Sequence, residues 1–367
     1  MYIVATKKGD IVFVVKISLC LIVRDEEDSI GNCLESVRNI VDEIVIVDTG
    51  SKDKTKEIAR NYTEKVYDFE WIDDFSKARN YSFSKATMDY ILWLDADDVL
   101  LAEDARKLKK LKETMETNID IVMLEYNVGY DENGKTSMSF FRERIFRRTG
   151  EFKWHDPIHE YIELEGNIVY VNICVTHKKC HFSPGRNLMI FEKMISEGKA
   201  LSPRNNFYYA RELFYYNKID EAIDYFQRFL NSEEGWSENN ISACEDLAKC
   251  YGVKKDTKNM VKTLYRSFEY GVPRAEICCQ LGNYYKELAD LEKAIFWFDL
   301  ATKLKKPQYC SGFISHDCWG YIPYMEMCVC YDKLGNIEEA IRCNELAGEI
   351  KPNDSSVLYN KDYFKSL

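Results

Sequence analysis

The chain has 367 residues, of which 46% are hydrophobic and 30% charged, and carries a formal net charge of −11. That length predicts two domains, and that apolar fraction can build ordinary cores in both. The acidic balance argues against a sequence-independent nucleic-acid binder, which needs a basic face, and leaves room only for a local basic groove.

The longest apolar run, "IVFVVKISLCLIV" at residues 11–23, has Lys16 inside it and is too short to span a membrane. No basic start, apolar stretch and small-residue cleavage site follow in the order of a signal peptide, so the sequence is read as cytoplasmic, of bacterial type. The run is expected to form one or two buried strands, with Ile17–Val23 as the first strand of a sheet. "DSIGNCLESVRNI" then predicts a helix with Asp28 or Ser29 as N-cap and with Ile30, Leu34, Val37 and Val41 on one face. "EIVIVD", Glu43–Asp48, is the next strand, and a short helix follows the Gly50-Ser51 turn. "VYDF" is a third strand. "DFSKARNYSFSKAT" is a helix capped by Asp74, and "YILWLD" is a fourth strand. Leu101, Ala105, Leu108, Leu111 and Met115 mark an amphipathic helix after it. Alternating strands and helices predict a parallel sheet covered on both faces, with ligands beyond the carboxyl ends of the strands.

After residue 118 strands follow one another without long helices: "IDIVMLEYNVGY", "SFFRERIFRR", "HEYIEL" and "NIVYVNICVTHK". They are expected to complete the same domain as mixed sheet, ending at the Ser-Pro-Gly of residues 183–185. From about Asn205 the texture is helical and repetitive. Ala222, Val261, Ala294 and Ala340 occupy equivalent places, 39, 33 and 46 residues apart, scattered around the tetratricopeptide period of about 34. The last gap holds an insertion near "KPQYCSGFISHDCWG". The reading is three to four tetratricopeptide-like helix pairs, with a plain helical bundle as the alternative. Expected domains are therefore residues 1–185, a linker or helix over 186–204, and repeats over 205–367. The thirteen cysteines show no metal-site or disulfide spacing and are read as reduced, buried thiols.

Polar residues gather at the strand ends of the first half. "VRDEE" follows strand one, "VDTGSKDKT" strand two, and "LDADD" strand four, with "DFSKARN" between. Parallel strands bring Glu26, Asp48, Arg79, Asp95 and Asp97 toward one cleft. Converging carboxylates repel unless a cation neutralises them, and Mg²⁺ or Mn²⁺ takes carboxylates together with phosphate oxygens. The pattern thus points to a metal-dependent phosphate or nucleotide site. Neither a P-loop nor a G-x-G-x-x-G motif is present.

"SLCLIVRDEEDSIGNCLESV", "DEIVIVDTGSKDKT" and "ILWLDADD" resemble the family 2 glycosyltransferases of the GT-A fold, over residues 17–180. "DFSKARN", "KWHDPIHE" and the repeats resemble a narrower group within it, the peptide S-glycosyltransferases of the sublancin type. The resemblance implies an α/β GT-A domain, a Rossmann-like mixed sheet with helices on both faces, followed by an all-α tetratricopeptide-like domain. It implies an inverting hexosyltransferase using a UDP-sugar, with UDP-glucose favoured. Val23, Glu26, Asp48, Arg79 and Asp95 would hold the nucleotide-sugar, Asp48 by accepting the uracil N–H. Asp97, Asp95 and His177 would bind Mg²⁺ or Mn²⁺. Glu160 would be the catalytic base, with Asp156 as runner-up and His159 orienting sugar or acceptor; His155 and His181 have weaker claims. Trp154 would stack on a sugar or pack in the core, and Asp98 would contact the sugar or cap a turn. The H-E motif, in place of E-D, argues against a processive polysaccharide synthase.

Three readings of the whole follow. The repeats present a peptide or protein acceptor, modified on Cys or Ser/Thr; or the acceptor is a cell-surface glycan or lipid-linked sugar; or the chain is an inactive repeat scaffold. A homodimer formed through the repeats is the alternative role for them. No nucleic-acid partner and no transmembrane segment are expected.

Overall fold

The computed structural model describes residues 2–5, 11–178 and 185–367. It divides into two compact units, Met1–Tyr130 with Ser139–Lys199, and Asp131–Met138 with Ala200–Leu367. The boundary thus falls at Lys199, and the expected linker region 186–204 is mostly helix belonging to the first unit. Residues 1, 6–10 and 179–184 fall outside the described residues, among them His181 and the Ser183-Pro184 pair expected to end the first domain.

The apolar run near the amino terminus makes two strands. β1 (Tyr2–Ala5) pairs antiparallel with β2 (Ile11–Val14), and β3 (Ile17–Val23) enters the main sheet. β3 lies parallel between β4 (Glu43–Asp48) and β6 (Tyr90–Trp93), and β5 (Val66–Asp68) extends the parallel set beyond β4. Its continuous apolar sequence has a packing reason. Leu19, Leu21 and Val23 face a core shared with Ile30, Cys33, Leu34 and Val37 of α1 (Ile30–Val37), with Ala59 of α2 (Thr55–Arg60), and with Leu108 further along the chain. Cys20 points the other way, and its thiol donates to the Ser82 carbonyl of α3 (Phe75–Lys85). A strand covered on both faces cannot alternate polar and apolar residues. Each such aliphatic side chain contributes about 1.5–3 kcal/mol on burial. The one polar residue inside the strand, Ser18, donates to Glu43 and accepts from the Met88 amide.

Beyond β6 the chain makes β7 (Asp98–Val99), α4 (Ala102–Thr114), β8 (Ile121–Tyr130) and β9 (Thr136–Arg147). The small ladder β10 (Trp154–His155) with β11 (Tyr161–Ile162) follows, then β12 (Ile168–His177) and α5 (Arg186–Ser196). β9 is antiparallel to β6, β12 is parallel to β8, and β7 returns antiparallel onto the end of β12. The sheet is therefore mixed, in the order β5-β4-β3-β6-β9-β8-β12-β7.

The second unit contains helix pairs α6 (Pro203–Tyr215) with α7 (Ile219–Ser232), α8 (Ser237–Val253) with α9 (Thr257–Arg266), α10 (Ala275–Glu287) with α11 (Leu291–Lys303), and α12 (Tyr321–Lys333) with α13 (Ile337–Ile350). A short strand, β13 (Ile314–Ser315), precedes α12, and a further helix, α14 (Ser355–Lys365), closes the chain. The repeated turns share one chemistry. Asp256, Asp290 and Asn336 accept from the backbone N–H three residues on, capping α9, α11 and α13. Ala222, Ala294 and Ala340 are fully buried where paired helices cross. Gly282 does the same job on α10, because a Cβ there would stand 2.6 Å from the Phe298 ring. Among the described residues no helix is long and apolar enough to cross a membrane, and the twelve described cysteines are unpaired.

Candidate active site

The acidic stretch after β6 is folded by its own backbone. The Asp98 amide donates to the Asp95 carbonyl at 3.0 Å, and the Asp95 amide donates to Asp98 Oδ2 at 3.0 Å. This turn splits the three aspartates between two environments. The β7–β12 register sets Asp98 opposite His177, and the His177 Nδ1 lies 3.2 Å from Asp98 and 3.4 Å from Asp97. Ligand-type atoms of Asp97, Asp98 and His177 all fall within 4.8 Å of one another. Asp98 is fully buried, ion-paired with Arg144 at 3.1 Å and accepting from the Tyr126 hydroxyl at 2.8 Å. Asp97 has His177 as its ionic partner among the described residues. Burial pushes its carboxyl up to about 6; His177 opposes this, and the charges of Asp95, Asp98 and Glu26 add to it. His177 itself is held above its usual value, since Asp98 and Asp97 outweigh the cost of burying its charge. Two carboxylates and an imidazole with a surplus of negative charge make a donor set that fits a divalent cation.

Asp95 belongs to a different group. The sequence motif groups it with Asp97 and His177 as a metal ligand, but the cluster contains Asp98 instead, and Asp95 faces Arg79 at 2.7 Å. The reason is the turn, which breaks the extended alternation, so that Asp95 and Asp97, two residues apart, no longer share a side. Arg79 also binds Glu160 at 2.6 Å, so one guanidinium joins the D-x-D to the H-E motif. α3 delivers it from a helix that Asp74 caps by accepting from the Lys77 amide at 3.0 Å. The guanidinium is buried over the rings of Trp93, at 4.5 Å, and Trp154, at 5.1 Å. Burial alone would raise the carboxyls of Asp95 and Glu160, yet Arg79 brings both below the usual carboxylate range. Of the two roles considered for Trp154, the structure places the residue in core packing. Its side chain is buried, edge-on to Trp93 at 4.9 Å and against Phe83.

Asp48 ends β4 fully buried. Its Oδ1 accepts the amides of Gly50 and Ser51, both at 3.0 Å, while Oδ2 has no partner. Gly50 makes this turn possible with φ of 104°, a conformation that side chains disfavour. An orphaned buried carboxylate oxygen is costly, so it marks a place where a ligand N–H would be welcome. Glu26 accepts from Ser29 at 2.6 Å, and its charge reaches Asp97; Ser29 therefore stands at the start of α1 without capping it. Val23 contributes backbone only, its carbonyl accepting from Thr49. In the loop before β11, Asp156 and His159 both have positive φ, 66° and 52°. The Phe75 amide donates to Pro157 at 2.8 Å, tying this loop to the start of α3. The His159 ring lies near-parallel to Phe191 at 6.2 Å. His155 is exposed on the neighbouring ladder.

Four residues escaped sequence reading. Arg142 and Arg144, two apart on β9, place their guanidiniums 4.8 and 4.0 Å from the Trp93 ring, and Tyr126 bridges Asp98 and His177. The "FRERIFRR" alternation was the available signal for the arginines. Arg186, exposed at the start of α5, lies 4.8 Å from the Phe75 ring and feels the charges of Glu160, Glu26 and Asp95.

Residues 18–164 match the family described as glycosyl transferase family 2, and residues 275–308 match a tetratricopeptide repeat. The match to the glycosyl transferase family 2 model covers Glu26, Asp48, Arg79, the three aspartates and Glu160, and stops before His177 and Arg186. The chain is 30% identical over 229 residues to the SPbeta prophage-derived glycosyltransferase SunS of Bacillus subtilis, covering 58% of this chain and 52% of that protein. It is 37% identical over 149 residues to a TPR repeat-containing protein of Synechococcus elongatus, covering 40% of this chain and 36% of the relative. The chain thus spans about a third to about half of the lengths of these relatives. Among solved structures, glucosyl-3-phosphoglycerate synthase from Mycobacterium tuberculosis, in complex with Mn²⁺ and UDP-glucose, aligns with a TM-score of 0.34 at 16% identity, over 52% of this chain and 81% of that one.

Proposed function

We propose that the chain is an inverting, metal-dependent hexosyltransferase that moves a sugar from a UDP-sugar, UDP-glucose first among candidates, to a thiol or hydroxyl side chain of a peptide. The observation that carries this reading is the junction of two groups. Asp97, Asp98 and His177 form a donor set for a divalent ion, and one turn away Asp95 is joined through Arg79 to Glu160. A divalent ion held there would neutralise the diphosphate of the leaving UDP. The unpartnered Asp48 Oδ2 offers an acceptor for the uracil imide N–H. Arg186, beside the Phe75 ring and within the field of Glu160, Glu26 and Asp95, is the proposed cationic partner of the diphosphate.

Glu160 is the proposed base, and its setting bears on the acceptor. Arg79 keeps the carboxylate ionised and correspondingly weak as a proton acceptor. A thiol near pKa 8.5 needs far less help than an alcohol, so the site suits a Cys acceptor better than Ser or Thr. Arg79 then serves as a positioning residue, fixing Glu160 and Asp95 in one frame. The test is UDP release from a panel of UDP-sugars with Mn²⁺ or Mg²⁺. Slow metal-dependent hydrolysis of one donor, lost on Asp97→Ala, is expected. Absence of both hydrolysis and nucleotide binding would leave the chain an inactive scaffold.

A further inference from the structure

The cluster of Asp97, Asp98 and His177 is backed by two side chains that the proposed transfer does not use, Tyr126 of β8 and Arg144 of β9. The three members of the cluster are not equivalent. Asp98 has none of its side chain exposed, whereas 17% of the Asp97 side chain and 22% of the His177 side chain stay exposed. An ion that also meets a diphosphate must be reached from the cleft, and Asp98 offers it no surface there. Both Asp98 oxygens are moreover engaged. Oδ1 accepts from the Tyr126 hydroxyl at 2.8 Å, while Oδ2 accepts from the Asp95 amide at 3.0 Å and pairs with Arg144 at 3.1 Å. The Arg144 guanidinium also lies 4.3 Å from the centre of the Tyr126 ring, and Phe140 meets that ring edge-on at 5.5 Å. Packing on two sides thus holds the phenol in place.

The phenol carries one proton, and its oxygen stands 2.8 Å from Asp98 Oδ1 and 2.9 Å from His177 Nδ1. A carboxylate only accepts, so that proton points to Asp98. The phenol oxygen is left to accept, which calls for a proton on His177 Nδ1. Asp98 Oδ1, 3.2 Å from Nδ1, attracts the same proton. With the Nδ1 proton directed inward, the lone pair of the neutral ring lies on Nε2. Histidines that bind metals commonly give their other ring N–H to a fixed acceptor, which sets both tautomer and ring orientation. We infer that Tyr126 is a positioning residue for the divalent ion. Anchored by Asp98 and Arg144, it orients His177 so that Nε2, together with Asp97, is offered as a ligand, and Asp98 stands behind the pair as buried support. The inference rests on the metal-dependent reading above and divides its donor set into two ligands and one anchor.

Calorimetric titration of the full chain with Mn²⁺ alone tests it, on the unaltered protein, Tyr126→Phe, His177→Ala and the double variant. Phe keeps the ring that packs on Arg144 and removes only the hydroxyl. Tyr126→Phe should weaken Mn²⁺ binding by at least about tenfold. In the His177→Ala background the same change should cost less than about twofold, because its effect runs through the imidazole. A merely structural role would weaken binding equally in both backgrounds. That result, or unchanged binding by Tyr126→Phe, would overturn the inference and leave the metal-dependent reading intact. No uptake of Mn²⁺ by the unaltered chain would sink that reading and the inference with it. Nitrogen-15 NMR of the metal-free, unaltered chain decides the matter if Tyr126→Phe fails to fold, with His177→Ala assigning the resonance. At alkaline pH the His177 ring should carry its proton on Nδ1; a proton on Nε2 would refute the proposed orientation.

Discussion

Replacing Glu160 by Gln asks whether this carboxylate takes the acceptor's proton. Gln keeps an oxygen where Glu160 Oε1 accepts from Arg79 Nε at 2.6 Å, and Arg79 keeps Asp95 at 2.7 Å, so the scaffold should hold. The change exchanges a charge-assisted hydrogen bond for a neutral one, a loss of about 1–2 kcal/mol of stability. A positioned general base contributes about 10²–10⁴ in rate, or about 3–5 kcal/mol of barrier. Transfer to a Cys-containing peptide, followed by mass spectrometry, should therefore fall by at least about a hundredfold. Binding of UDP, measured by calorimetry in the presence of Mn²⁺, should stay within about twofold, because the base is not asked to hold the nucleotide. Transfer within a few-fold of the unaltered chain would refute the assignment and move attention to Asp156. Loss of UDP binding would refute it differently, by making Glu160 part of the donor site.

Asp97→Asn and His177→Ala should each weaken Mn²⁺ binding by at least about tenfold without lowering the melting temperature, as read by calorimetry with the metal alone. Arg186→Ala should raise the KM for the UDP-sugar several-fold while the far-ultraviolet dichroism stays the same; an unchanged KM would remove Arg186 from the donor site. Glu43 provides a pH test. It is buried against Lys65, Ser18 and Thr87, and these hydrogen bonds overcome burial to lower its carboxyl from 4.5 to about 2. A depressed folded-state value stabilises fully above the unfolded one, here about 3 kcal/mol, and that contribution is lost as pH falls from about 4.5 toward 2. Glu43→Gln should thus be less stable at neutral pH and show a flatter denaturant midpoint across the acid range. Gly282→Ala should cost about 1–3 kcal/mol, read as a lower melting temperature of the repeats, because the new methyl meets the Phe298 ring.

What the sequence determined by itself was local. Continuous apolar runs marked strands covered on both faces, Asp74 marked a helix start, and the recurring capped turns with buried alanines marked the helix pairs, because each of these signals acts over a few residues. Ordered motifs likewise named Asp48, Asp97 and Glu160 as candidates. What only the tertiary structure decided was partnership. The β7–β12 register set Asp98 against His177 across 79 residues. The turn after β6 sent Asp95 to Arg79, and Arg79 reached Glu160 from 81 residues away. No periodicity encodes such pairings, since they depend on which strand lies beside which. Trp154 shows the same limit, for an aromatic side chain reads alike whether it faces a sugar or a neighbouring tryptophan. The insertion before α12 was visible as a broken period, but its docking on α10, where Glu276 accepts from Ser315 and Trp319, was written only in the fold.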